Sequence, residues 1–88
     1  MAELIKADGT KRKVKPKNLV HFTLDELRHH VKGDIQIVET KDDRLIVLNE
    51  EGKIRQLSVN KKATRLYEYG GYDYIVGDVL IIDKNQIR

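Results

Sequence analysis

The sequence predicts a small α+β domain: a mixed, mainly antiparallel sheet of four to six strands with two helices packed on one face. Three observations carry this. The chain of 88 residues has the length of one small domain, which buries roughly 60% of its unfolded surface. Short β-branched runs alternate with two stretches of helical periodicity. The order of these elements lacks the regular repeat of a βαβ array. One domain over 1–88 accounts for the whole chain, without repeats or low-complexity segments.

Taken in order, Ala2 to Lys6 is a strand and Asp8-Gly9 a turn dipeptide that supplies a positive φ, so Thr10 to Lys15 returns as a hairpin partner. That partner holds Lys11, Arg12, Lys13 and Lys15 around a single apolar Val14 and runs into Pro16, the composition of an edge strand. Thr23-Leu24-Asp25-Glu26 is a capping box with Phe22 and Leu27 at the staple positions, and Leu24, Leu27 and Val31 recur at helical spacing. A helix over 23–32 ending before Gly33 follows. Ile35 to Glu39 alternates, Lys41-Asp42-Asp43 turns, and Arg44 to Asn49 forms a more buried strand. After the turn Glu50-Glu51-Gly52-Lys53, the segment Ile54 to Val59 reads as a further short strand. Asn60 is an N-cap for a second helix over Lys61 to Tyr69, with Ala63, Leu66 and Tyr67 on one face, closed by Gly70-Gly71. The last element, from Tyr72 to Asp83, carries Val79-Leu80-Ile81-Ile82, a strand buried on both faces and entered through a turn or bulge at Gly77-Asp78.

Composition narrows the function without naming it. Charged residues make up 35% and apolar residues 40%, the balance of a soluble folded domain. The absence of cysteine removes disulfides, thiol nucleophiles and Cys-based zinc sites and suits a cytoplasmic compartment. No apolar run approaches a membrane span, and Met1 to Lys6 lacks a signal-peptide pattern. The formal charge is only +3, but it is segregated. Residues 11–17 and 53–65 carry cations and no acid, while residues 34–51 are mostly acidic and the charges of residues 66–83 are all negative.

Catalytic and metal chemistry find little support. His29 and His30 are adjacent, about 100° apart on a helix, where a helical metal pair needs a spacing of three or four; His21 lies upstream of the cap. Asp42-Asp43 and Glu50-Glu51 fall in turns, where solvated acids are the default. Ser58 lacks a nucleophile elbow, and Gly70-Gly71 follows a helix, at the wrong end of its dipole for a phosphate. The expectation is a protein that is not an enzyme and needs no cofactor or metal. The more promising material is Asn60, Lys61, Lys62 and Arg65 at the start of the second helix, followed by Tyr67, Tyr69, Tyr72 and Tyr74. Cations at a helix start hold phosphate and tyrosines stack on a base, which makes Asn60, Lys61, Lys62, Arg65, Tyr67, Tyr69 and Tyr72 the candidate ligand-binding set. The competing reading makes the tyrosines cover for apolar surface, the helix lysines solubilising groups, and the Lys11 to Lys17 run protection for an edge strand.

Asn49-Glu50-Glu51-Gly52-Lys53, Leu57-Ser58-Val59-Asn60 with Ala63, and Ile75-Val76-Gly77-Asp78-Val79-Leu80-Ile81 together resemble a family of small uncharacterised proteins encoded by phages and mobile elements. The resemblance spans most of residues 24–82; Ser58-Val59 stands where that family often has a proline. It implies a phage or mobile-element origin, action in the host cytoplasm and no established catalytic activity. The leading expectation is therefore a non-enzymatic, homo-oligomeric anti-defence protein that sequesters a phosphorylated nucleotide immune signal in pockets between subunits. One alternative is a protein–protein inhibitor or DNA mimic that meets a host defence enzyme through the acidic stretches. Another is a sequence-tolerant nucleic-acid binder using both basic stretches.

Overall fold

In the computed structural model the chain is described from residue 2 to residue 86. Met1 of the N-terminal reading and residues 87 and 88 of the single-domain assignment lie outside the described residues. Strands β1 (Ala2–Ile5) and β2 (Lys11–Val14) precede helix α1 (Leu24–Val31), strands β3 (Ile35–Glu39) and β4 (Leu45–Asn49), helix α2 (Lys61–Leu66), strand β5 (Val79–Ile82) and a 3-10 turn at Lys84–Gln86. The strands form one five-stranded sheet in the order β2-β1-β5-β4-β3, and every neighbouring pair is antiparallel. This is the α+β class expected from the sequence.

β5 occupies the centre because Val79, Leu80, Ile81 and Ile82 are all fully buried. Consecutive strand residues point to opposite faces, so such a strand needs an apolar layer on each side. On one face Leu80 and Ile82 join Leu4, Val47 and the α1 residues Leu27 and Val31. On the other, Val79 and Ile81 join Ile5, Ile46, Leu48, Ile75 and Ala63 of α2. The two helices, expected together on one face, thus lie on opposite faces.

α1 follows its sequence signals closely. The Thr23 hydroxyl accepts from Glu26 N, the Glu26 carboxylate accepts from Thr23 N at 3.1 Å, and Phe22 and Leu27 are both buried. Its C-cap is Lys32 in the left-handed region (φ 64°), one residue before the expected Gly33. Two other expectations fail. Residues 54–59 form no strand: Ile54 is 82% exposed, and turn bonds Arg55 N to Glu51 O and Gln56 N to Lys53 O wind the segment. Only Val59 pairs, as an isolated bridge to Val76. α2 also stops at Leu66, three residues early, because Tyr67 turns to extended backbone (ψ 135°) and bridges Thr40. Flanking bonds from Lys41 N to Leu66 O and from Glu68 N to Glu39 O secure that exit.

Candidate anion-binding face

The predicted site residues divide into three groups. Asn60 is structural. It is 1% exposed, and its Oδ1 caps α2 by accepting from Ala63 N at 3.0 Å. Its Nδ2 donates to the Ile5 and Gly77 carbonyls, each at 2.9 Å. One side chain thereby ties α2 to the end of β1 and the entry to β5, and none of its polar atoms is left for a ligand. Asparagine N-caps are common, but the burial that removes this one from the surface is set by tertiary packing and leaves no local signal.

The second group is cationic. Lys61 and Arg65, four residues apart, share the exposed side of α2. Lys62 is partly buried, and its Nζ donates to the Gly9 carbonyl at 2.6 Å, drawing the start of α2 against the β1–β2 turn. That contact joins the two basic stretches in part. Val14 packs on the α1 side of the sheet, whereas Lys11 stands opposite Ile5, whose side chain belongs to the α2 side. Alternation then places Lys11 and Lys13 on the α2 face and Arg12 on the other. Lys15 and Lys17 line a groove beside α1 with His29 and His30. The basic face therefore consists of Lys11 and Lys13 from β2 with Lys61, Lys62 and Arg65 from α2.

The cations of this face form no ion pair among the described residues. The ion pairs among the described residues are Arg28–Asp34, Lys32–Asp78, Arg44–Asp42, Lys53–Asp73, Lys84–Glu39 and Lys84–Asp43, and none uses a cation of β2 or α2. Glu3, opposite Lys13 on the ladder, is the acid that β1 brings to the same face.

The third group, the tyrosines, lies away from the helix start. The Tyr67 and Tyr69 rings meet edge to face at 5.8 Å, and Tyr72 projects 94% exposed. Tyr67 also lines a cleft of about 150 Å³ with Tyr74, Lys53, Asp73, Gln36 and Val38. Here Lys53 Nζ lies 4.4 Å from the centre of the Tyr74 ring and pairs with Asp73. The hydrogen bond to Asp73 raises the lysine's pKa, and the same bond lowers the aspartate's. Lys53 and Tyr74 were absent from the predicted set; the sequence shows both but cannot show that a turn and a loop bring them together.

A second cleft, of about 260 Å³, opens at the C-terminal end of α1. Its polar groups serve the helix end: Asn49 Nδ2 donates to the Val31 carbonyl at 3.2 Å and Arg55 to that of Lys32 at 3.4 Å. Asp78 accepts from Ala7 N at 3.0 Å and faces Lys32 at 3.6 Å. His29 and His30 stack edge to face at 5.9 Å; burial, then the neighbouring His29, holds the His30 pKa below its ordinary value. Among the described residues no three His, Cys, Asp or Glu side chains converge as a metal site would require.

The fold and this face define a small antiparallel α+β domain with an open cationic surface on one side of its sheet. By sequence the chain belongs to the family described as domain of unknown function DUF3846, whose model matches residues 2–87. No curated protein and no solved structure matches it.

Proposed function

We propose that this protein is a non-enzymatic binding protein of phage or mobile-element origin that holds a phosphate-bearing polyanion, favouring nucleic acid, on the face built by β2 and α2. The observation that carries this reading is the contrast in charge pairing. Asp34, Glu39, Asp42, Asp43, Asp73 and Asp78 each lie within 4.0 Å of a cation, while among the described residues Lys11, Lys13, Lys61, Lys62 and Arg65 form no ion pair. A nucleic acid carries a layer of condensed cations, and lysines and arginines free to meet its phosphates release them on binding, the main source of sequence-independent affinity. A DNA mimic would need its acids uncompensated, and six acids of the two acidic stretches are already paired with cations.

The test is binding of a labelled single-stranded oligonucleotide across a salt series. Three to five phosphate contacts predict a log–log slope of roughly −2 to −3.5. Lys61→Glu with Arg65→Glu, and separately Lys11→Glu with Lys13→Glu, should each flatten the slope and weaken binding at least tenfold. Binding that ignores salt, or that survives both double variants, refutes the reading.

A nucleotide-sequestering role is the second reading, favoured by the Tyr67, Tyr74 and Lys53 cleft. Its volume of about 150 Å³ falls below the roughly 300 Å³ at which small-molecule sites begin, so a nucleotide would need a second subunit to complete it. Uptake of a stoichiometric cyclic or linear nucleotide, seen by native mass spectrometry and abolished by Tyr74→Ala, would favour this role over the first.

A further inference from the structure

We propose that the outer edge of β3 is a self-association strand, through which two copies pair antiparallel about a two-fold axis at Gln36 and join two five-stranded sheets into one of ten. The two edges of this sheet are built differently. β2 carries Lys11, Arg12 and Lys13 and leads into Pro16, residues that discourage a further strand. β3 reads Ile-Gln-Ile-Val-Glu, with neither lysine nor proline. Ile37 on this edge is 41% exposed despite its β-branched side chain.

The backbone states which groups are free. Glu50 N donates to the Asp34 carbonyl and Thr40 N to that of Arg44, so the even-numbered residues of this strand bond toward β4. Alternation then turns the N–H and C=O of Ile35 and Ile37 outward. No strand or bridge among the described residues pairs with that side of Ile35 to Val38. Farther along, the Glu39 carbonyl is taken by Glu68 N at 3.0 Å.

These facts select one register. Centred on Gln36, Ile35 faces Ile37 of the other copy and Ile37 faces its Ile35, so every ladder bond uses a free group and both cross-strand pairs are apolar. Asp34, already paired with Arg28 at 3.5 Å, faces Val38, and Glu39 faces Gly33, so no like charges oppose. Centring on Ile37 instead would set Ile35 against Glu39 and call on the occupied Glu39 carbonyl. A second copy is the occupant this strand fits, because its free groups and apolar residues complement themselves under two-fold symmetry. The axis stands normal to the sheet, so both α2 helices and both basic faces look the same way. The Gln36 and Val38 walls of the two tyrosine clefts also become neighbours. The pairing does not depend on which ligand the basic face takes.

Sedimentation velocity with light scattering, carried to roughly 500 µM at physiological salt, tests this. The full chain should reach twice its 10.2 kDa mass, and the Ile35 and Ile37 amides should slow in hydrogen exchange as concentration rises. Ile37→Pro removes an outward amide without touching a β4 bond, and Ile37→Lys adds an edge charge. Each should weaken association at least tenfold while circular dichroism stays that of the wild type. Should the proline variant fail to fold, the lysine variant decides. A single-chain mass at the highest concentration, or association undiminished in a folded Ile37 variant, overturns the proposal.

Discussion

Replacing Asn60 by alanine separates a structural asparagine from a ligand-binding one. The side chain makes three bonds from a fully buried position: one accepted from Ala63 N and two donated, to the Ile5 and Gly77 carbonyls. Loss of an N-cap costs about 1 kcal/mol. Each carbonyl deprived of its donor inside the protein adds about 1 kcal/mol. The sum is about 3 kcal/mol, a large fraction of the roughly 5–15 kcal/mol that holds a domain together. For a chain of this length that lowers Tm by about 12–24 °C. Asn60→Ser keeps the capping oxygen and should recover about 1 kcal/mol of the loss. Asn60→Asp keeps the cap but turns a carboxylate toward two carbonyl oxygens, and should be the least stable of the three at neutral pH. Differential scanning calorimetry reads the order directly. Asn60→Ala melting within about 3 °C of the wild type, or Asn60→Asp melting highest, refutes the assignment. Folded Asn60→Ser should bind oligonucleotide as the wild type does.

Asp42 is held well below its ordinary pKa of 3.8, at about 2, chiefly by the Arg44 guanidinium and next by the Thr40 hydroxyl. Because the folded value is depressed, the stabilisation is present above pH 3.8 and is lost as pH falls through about 2. Asp42→Asn should therefore melt about 2–4 °C below the wild type at pH 7, since the pair is partly exposed, and the gap should narrow as pH falls below 3.8 and close near pH 2. Gly77 has φ +78°, and a Cβ there would lie 2.8 Å from Leu57 Cδ1, so Gly77→Ala should lose about 1–2 kcal/mol by urea denaturation. Tyr72 is 94% exposed, and Tyr72→Ala should leave the urea midpoint within about 0.5 kcal/mol of the wild type. Its effect on nucleotide uptake then bears on binding alone.

Local signals made the elements legible and non-local ones decided their arrangement. The capping box at Thr23 and Glu26 and the β3–β4 hairpin need only neighbours in sequence, and both form as read. The end of α2 was not legible because Tyr67 leaves the helix to bridge Thr40, and no local feature announces a partner 27 positions upstream. Apolar residues in 54–59 suggested a strand, but Ile54 is exposed in a run of turns, where alternation without a neighbouring strand organises nothing. Of the candidate site, the cations of α2 were legible as a group. Their continuation onto Lys11 and Lys13 depends on the fold of the β1–β2 hairpin against α2, which the Lys62 contact to Gly9 expresses.

The helix arrangement was, however, already implied by Val79-Leu80-Ile81-Ile82, because a strand apolar at every position needs cover above and below. With one helix on each face, a chain of this size has only α2's six residues and the loop before β5 for its second layer. So short a helix buries Ala63 fully and leaves Lys61 and Arg65 standing over the sheet in solvent. The neighbouring tyrosine cleft, of about 150 Å³, lies on the same face against Gln36 and Val38 of β3. A thin layer thus leaves these cations at an open surface rather than in a pocket, beside a small cleft at the edge that a second copy would extend.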